Sequence, residues 1–325
     1  MTRRVLALVG PTASGKTEVA LALAERLGAE IVGADSRQVY RYLDIGTAKP
    51  SAAERARVGH HMVDVAEPDE IFDAARFRRA ALAAIDDIAS RGRPVIVCGG
   101  TGLYLRALLR GLFPAPPRAP ELRARLHALE EREPGALHRR LARVDPDAAA
   151  RLHPNDLLRV VRALEVEALT GRPISAWQGE HRFPGGELDA LVLGCHRPAD
   201  ELAARIEARC DAMLAAGLLD EIAALWARGF GAELPSMQSV GYREMGAHLS
   251  AQRAAGAADL AAARGAFVRA TRRLAKRQRT WFGAERAIEW FHPEQERDAL
   301  VARAEGWLER PWPSPISISS YPSPR

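Results

Sequence analysis

Near the start of the chain, Gly10, Gly15, Lys16 and Thr17 in "LVGPTASGKTEVA" satisfy the spacing G-x-x-x-x-G-K-[ST]. Glycines at those positions permit a tight loop whose backbone N–H groups converge on phosphate oxygens. The lysine adds a mobile positive charge, the threonine hydroxyl can ligate Mg²⁺, and the helix that follows aims its positive end at the anion. Gly10, Pro11, Thr12, Ala13, Ser14, Gly15, Lys16 and Thr17 are therefore candidate phosphate-binding residues, with Thr17 the candidate magnesium ligand. A P-loop is ordinarily a nucleotide-binding, ATP-binding element, and its usual companion is a second apolar strand that ends in an aspartate supporting the metal. The obvious strand of that kind is "PVIVC", Pro94 to Cys98, but it runs into Gly99-Gly100-Thr101-Gly102 with no carboxylate. The nearest acid at a strand end is Asp35, in "IVGADSRQVY". The residues themselves leave Asp35 open between a reactive carboxylate beside the loop and a turn or helix cap ahead of Ser36. Thr101 is open in the same way, between the site and an N-cap of a helix over Leu103–Leu109.

These side chains need a scaffold that brings separate strand ends together. Arg4 to Val9 is a short apolar run, Lys16 to Leu27 has helical spacing, and Glu30 to Ala34 reads as a second strand. Phe72 to Arg91 is an alanine-rich helical pattern closed by Gly92. Strands alternating with helices predict βαβ units on a parallel sheet, whose carboxyl ends face a ligand. "FPAPPRAP", Phe113 to Pro120, then breaks the pattern, and Glu121 to Thr170 is helical only. Leu188 to Cys195 returns to a strand, and the rest to about Leu308 is mostly helical. The fold class expected is α/β: a P-loop NTPase-like parallel sheet core with a helical insertion domain and a helical C-terminal part. The expected boundaries are 1–116 for the first part of the core, 117–183 for the insertion, 184–310 for the second part of the core, and 311–325 for a disordered Pro/Ser tail.

The chain has 325 residues, 47% of them hydrophobic and 27% charged, as in an ordinary globular protein. No apolar run approaches the roughly 20 residues needed to span a bilayer, and the start of the chain leaves no room for a signal peptide. Three scattered cysteines form no CxxC pair, so a disulfide framework or zinc site is not expected and a reduced, cytoplasmic setting is. His60 and His61, adjacent and without a matched ligand nearby, read as structural. The formal net charge of +5 favours polyanionic partners. From Arg264 to Arg286 there are eight Lys/Arg against a single acid, Glu285, with Gln278 and Trp281 interleaved.

"GPTASGKT", "ADSRQVYRYLDIGTAKP" and "VCGGTGLYLRALLRGL" resemble the tRNA dimethylallyltransferases, also called isopentenyl-tRNA transferases. The resemblance continues through "HPNDLLRVVRALEV", "RIEARCDAMLAAGLLDEI", "SVGYREM" and "TRRLAKRQRTWF", nearly the whole chain apart from the tail. It implies a tRNA modification (tRNA processing) enzyme, a prenyltransferase that moves a dimethylallyl group from dimethylallyl diphosphate to the N6 amine of the adenosine beside the anticodon. Diphosphate then leaves intact, so the phosphate loop would hold a leaving group. By the resemblance Asp35 is the general base, Lys16 and the Thr101 hydroxyl act at the reacting centre, and Mg²⁺ is the cofactor. Asp35, Ser36, Arg37, Gln38, Thr101, Arg123, Arg159, Arg162, Lys276, Arg277 and Gln278 would meet the tRNA anticodon stem-loop. The family's N-D-x-Q-R-x-x-R has Leu158 here in place of Gln, which puts one polar RNA contact in doubt. Arg205 and Arg209 share a helix face and either meet diphosphate or pair with Glu201 and Glu221. A monomer with no membrane association is expected. The competing readings are an adenylate prenyltransferase, which would need neither the insert nor the basic helix, a P-loop small-molecule kinase, and a non-catalytic P-loop RNA-binding protein.

Overall fold

A computed structural model describes residues 3–180, 188–256 and 258–309. The expected tail over 311–325 and the boundary at 183/184 lie outside the described residues. β1 (Arg3–Val9) is buried from Val5 to Val9, and its alternate side chains enter cores on both faces of the sheet. That double burial is why it reads as an unbroken apolar run rather than an alternating one. α1 (Lys16–Leu27) follows, then β2 (Glu30–Gly33), α2 (Ala52–Arg57), β3 (His60–His61), α3 (Ala74–Ser90), β4 (Val95–Gly99) and α4 (Gly102–Arg110). α3 starts two residues later than its apolar pattern because the Asp73 carboxylate caps it, accepting from Ala75 N and Arg76 N. Its stripe Phe77, Ala81, Ile85 and Ile88 is fully buried, and Phe77 stacks on Tyr104 of α4 at 4.1 Å.

α5 (Pro120–Arg132), α6 (Ala136–Val144), α7 (Pro146–Arg151), α8 (Leu157–Thr170) and α9 (Ile174–Glu180) come next, without a strand among the described residues. β5 (Leu188–Cys195) resumes the sheet, followed by α10 (Ala199–Ala215), α11 (Leu218–Ala227), α12 (Tyr242–Ala255), α13 (Leu260–Gly283), β6 (Glu289–Phe291) and α14 (Arg297–Leu308). The six strands are all parallel, in the order β3-β2-β4-β1-β5-β6. β1, β4 and β2 are thus neighbours, and the loops leaving their carboxyl ends carry Gly10–Thr17, Gly100–Thr101 and Asp35 to one edge. β2 ends one residue before its expected run, and β4 is shifted one residue along its own. Ala34 N donates to Cys98 O beyond the end of β2, and Pro94 contributes only a carbonyl, to Glu30 N. The short edge strands β3 and β6 and the helix α2 were not anticipated.

Packing divides the chain into two compact units, 1–109 with 187–325, and 110–186. In the second, α5 to α9 enclose a core of Leu126, Leu137, Leu141, Val160, Leu164 and Val166. The same unit holds a fully buried carboxylate, Glu165.

Candidate functional site

A cavity of 480 Å³ opens over the carboxyl ends of β1, β2 and β4 and is lined by Thr12, Lys16, Thr17, Asp35 and Thr101 among others. The phosphate loop is shaped from several sides. Gly15 adopts φ 94 and hands the chain into α1. Ala13 adopts φ 64, a left-handed conformation that costs an L-residue about 1–2 kcal/mol. Contacts from elsewhere hold it there: Arg205 Nε donates to Ala13 O at 3.1 Å, and buried Arg197 Nε donates to Ser14 O at 3.1 Å. Pro11 O accepts from Ser14 N and from Lys16 Nζ. Thr12 N and Ser14 N are taken within the protein, so an anion cradle here would draw on the other amides of the loop.

Lys16 and Arg209 are half-buried cations that line this cavity without a carboxylate within ion-pair distance among the described residues. Burial pushes the Lys16 ammonium below the usual lysine range, with Arg209 adding repulsion and Asp35 opposing it. Burial lowers the Arg209 pKa likewise, and Asp35 opposes this most strongly. A buried cation without a counter-charge is costly, so the pair marks a place for a polyanion. This separates the two arginines that the sequence left undecided. Arg205 holds Ala13 and pairs with Glu18, whereas Arg209 faces the cavity. Neither pairs with Glu201 or Glu221. Glu201 is taken by Arg197 and His292. Glu221 accepts from the amides of Asp44, Ile45 and Gly46 and from the Tyr242 hydroxyl.

Asp35 Oδ1 accepts from Arg37 N at 2.8 Å and Gln38 N at 3.4 Å, so the carboxylate shapes its own turn and still lines the cavity. The turn reading and the site reading are compatible in geometry. Thr101 is not an N-cap through its side chain. Its carbonyl starts α4 by accepting from Tyr104 N and Leu105 N, while Oγ1 accepts from Ser36 N at 3.0 Å and lies 3.3 Å from Ser36 Oγ. The missing acid after β4 has a steric cause. A Cβ on Gly99 would lie 2.1 Å from Ala34 O, and one on Gly100 would lie 2.5 Å from Gln278 Nε2. Thr101 is the first position after β4 with room for a side chain.

The remaining candidates divide. Arg37 lines the cavity and donates to Pro235 O, and Gln38 turns inward to Thr47 O and Ala48 O. On α13, Arg264 and Arg272 are neutralised by Asp211 and Glu207 of α10. Arg273 and Arg277 face the cavity without an ion pair among the described residues, and neighbouring Lys276 makes none. Gln278 turns its amide to the phosphate loop and the Gly100 turn. In the inserted unit, Arg123 forms a two-bond clamp on Glu165, Arg162 joins Glu165 and Pro116 O, and Arg159 pairs with Asp156 at the surface. Leu158 is 71% exposed. His61 bonds Glu30 at 2.7 Å and His60 bonds Val58 O. Arg91, His61 and Arg93 together hold the Glu30 carboxyl down at about 2. Sequence reasoning missed Arg197 and Glu221. Arg197 sits two residues past the end of β5, next to β1, where the strand-end rule could have found it. No local signal marks Glu221, whose backbone partners are about 175 residues away.

Comparison with known proteins agrees with this architecture. The family model for IPP transferase matches residues 38–285. A tRNA dimethylallyltransferase of Anaeromyxobacter dehalogenans is 53% identical over 303 residues, 93% of this chain and 99% of that protein. The crystal structure of the full-length tRNA isopentenylpyrophosphate transferase from Bacillus halodurans has a TM-score of 0.67 at 36% identity, covering 95% of this chain and 97% of its own. A eukaryotic dimethylallyltransferase crystallised acting on tRNA gives a TM-score of 0.77 at 29% identity, covering 93% and 78%. The chain therefore belongs to the IPP transferase family, among the tRNA dimethylallyltransferases.

Proposed function

We propose that the chain transfers a dimethylallyl group from dimethylallyl diphosphate to the N6 amine of the adenosine 3′-adjacent to the anticodon of tRNA, releasing diphosphate. One observation carries the reading. Lys16 and Arg209, neither with an ion pair among the described residues, line one cavity with a carboxylate and a hydroxyl beside a phosphate loop, where a side chain at Gly99 would meet the Ala34 backbone. The diphosphate would sit on the loop amides with Lys16 and Arg209. As the allylic C–O bond breaks, its electron pair goes to the diphosphate oxygen, and these cations stabilise the growing charge. The N6–C bond forms, and the amine proton passes to the Asp35 carboxylate. Thr101, tied to Ser36, would orient the acceptor and the bridging oxygen. The oxygen donors fit Mg²⁺, a hard cation that commonly binds through one or two protein oxygens plus substrate phosphates. Thr17 is its candidate ligand here, and the ion would neutralise charge on the departing diphosphate. The basic face of α13 would bind RNA phosphates, and the target base would be extruded from the anticodon loop into the cavity, which costs least in a loop. Arg123, Arg159 and Arg162 of the insert are proposed contacts to the stem-loop of a tRNA bound by a cytoplasmic monomer.

The test supplies radiolabelled dimethylallyl diphosphate and Mg²⁺ with unmodified tRNA, AMP or buffer. Label entering only tRNA, at the adenosine beside the anticodon, is the expected result. Label entering AMP, or ATP hydrolysis without transfer, overturns the proposal.

A further inference from the structure

Gln278 lies in the basic segment that the sequence assigns to RNA, yet its amide is occupied within the protein. Its Oε1 accepts from Thr12 N at 2.8 Å, and its Nε2 donates to Gly100 O at 3.0 Å. The orientation of the amide is fixed by its partners, since a backbone N–H can only donate and a carbonyl can only accept. No shorter link joins these two loops by side chain, because Gly100 has none and a Cβ there would lie 2.5 Å from Nε2. From Gly100 the connection continues to Thr101, whose Oγ1 accepts from Ser36 N, beside Asp35. Thr12, Gly100, Thr101 and Asp35 are thus joined in one chain of contacts with Gln278 as its bridge. The preceding residue, Arg277, and Arg273 one turn earlier line the cavity with no ion pair among the described residues.

We infer that Gln278 is a positioning residue: it splints the phosphate loop to the turn after β4, so the helix that offers arginines to RNA also sets the shape of the diphosphate cradle. The inference rests on the proposed reaction for its kinetic arm only. Gln278→Met preserves side-chain volume and removes both hydrogen bonds. Gln278→Asn keeps the amide but is one methylene too short to bridge. Each is compared with wild type in two measurements, after melting curves show which variant keeps the wild-type fold.

The first is calorimetric binding of inorganic diphosphate with Mg²⁺, which needs neither RNA nor transfer. The second is kcat and the KM for tRNA in the label-transfer assay. Two lost hydrogen bonds predict diphosphate binding weakened, or kcat at saturating tRNA reduced, on the order of tenfold, with KM for tRNA within about twofold. Either fall at an unchanged melting temperature supports the splint. Unchanged diphosphate affinity together with unchanged kcat overturns it, and a raised KM alone would make Gln278 an RNA contact instead. If wild type itself fails to label tRNA, the proposed function falls, and the diphosphate comparison still decides the splint.

Discussion

Replacing Glu165 by Gln tests how the inserted helices hold together. The carboxylate is fully buried and accepts from Arg123 Nε and Nη2, Arg162 Nη1 and Ala119 N. Burial alone would raise its pKa, but these donors outweigh burial and hold it at about 2, against 4.5 for an ordinary glutamate. A difference of about 2.5 units at 1.36 kcal/mol each corresponds to about 3.4 kcal/mol of stability. Breaking a buried ion pair by removing one partner costs a similar amount, about 3–5 kcal/mol. The folded pKa is depressed, so this stability is complete above about pH 4.5 and is lost as pH falls through about 2. At pH 3 only about 1.4 kcal/mol of it remains. The primary assay is hydrogen exchange of peptides from α5 and α8 at pH 7, where protection in the wild-type protein should exceed that in Glu165→Gln on the order of 300-fold. Urea denaturation at pH 6 and pH 3 should then show the gap between wild type and variant shrinking by more than half. Protection within about fivefold of wild type, or a gap that does not change between the two pH values, would refute the reasoning.

Asp35→Asn keeps an oxygen for Arg37 N and so keeps the turn, but it removes the proton acceptor; the single-turnover rate should fall about 10²–10⁴-fold at an unchanged melting temperature, and a fall under tenfold would remove Asp35 from the chemistry. Gly102→Ala places a Cβ 2.1 Å from Trp281 Nε1, where Arg106 stacks on the indole at 4.4 Å. Overpacking of this kind should cost about 1–3 kcal/mol in thermal denaturation, whereas Gly283→Ala, whose Cβ meets nothing within 4 Å, should cost none. Arg273→Ala and Arg277→Ala should each lower the slope of log affinity for tRNA against log salt by roughly 0.7–0.9. Arg264→Ala and Arg272→Ala should leave that slope unchanged, because Asp211 and Glu207 already neutralise those side chains. Equal slopes across all four variants would contradict this division of the basic face.

What could be read in the sequence was local. The run from Arg3 to Leu27 is strand, loop and helix in one contiguous stretch, and each part has its own signal: double-sided burial, glycine spacing and helical periodicity. Asp35 and Thr101 were legible as strand ends, because a parallel sheet brings such ends together whatever their separation in sequence. β3 and β6, of two and three residues, are too short to display a period. Arg197 and Glu221 act on backbone atoms of distant loops, and the sequence carries no mark of such a bond. The charge run on α13 could be counted but not divided, since the division depends on which residues of α10 lie opposite it. The same holds in the insert, where the sequence does not show that Arg123 and Arg162 also pair with Glu165, a residue inside an apolar helical stripe.

The glycines after β4 bear on the chemistry more directly than the phosphate loop does. A lost acid could in principle be restored by one substitution, and the loop would then suit nucleotide hydrolysis. At Gly99 and Gly100 that route is obstructed, because Gly99 abuts the Ala34 backbone and Gly100 abuts the Gln278 amide, so a side chain at either position must displace a neighbouring strand end or the bridge to the phosphate loop. The space beside Gly99 and Gly100 is filled by the Ala34 backbone and the Gln278 amide, and Thr101, the next residue, bonds Ser36 beside Asp35. The same packing therefore disfavours a supported γ-phosphate and assembles a hydroxyl and a carboxylate beside the anion cradle. Lys16 and Arg209 have no ion pair among the described residues, with Asp35 acting on both only at longer range, and a bound diphosphate would supply a closer counter-charge. A phosphate loop in these surroundings is suited to holding a departing anion, and the proposed base, Asp35, stands just past the end of β2, where Arg37 N and Gln38 N fix its carboxylate.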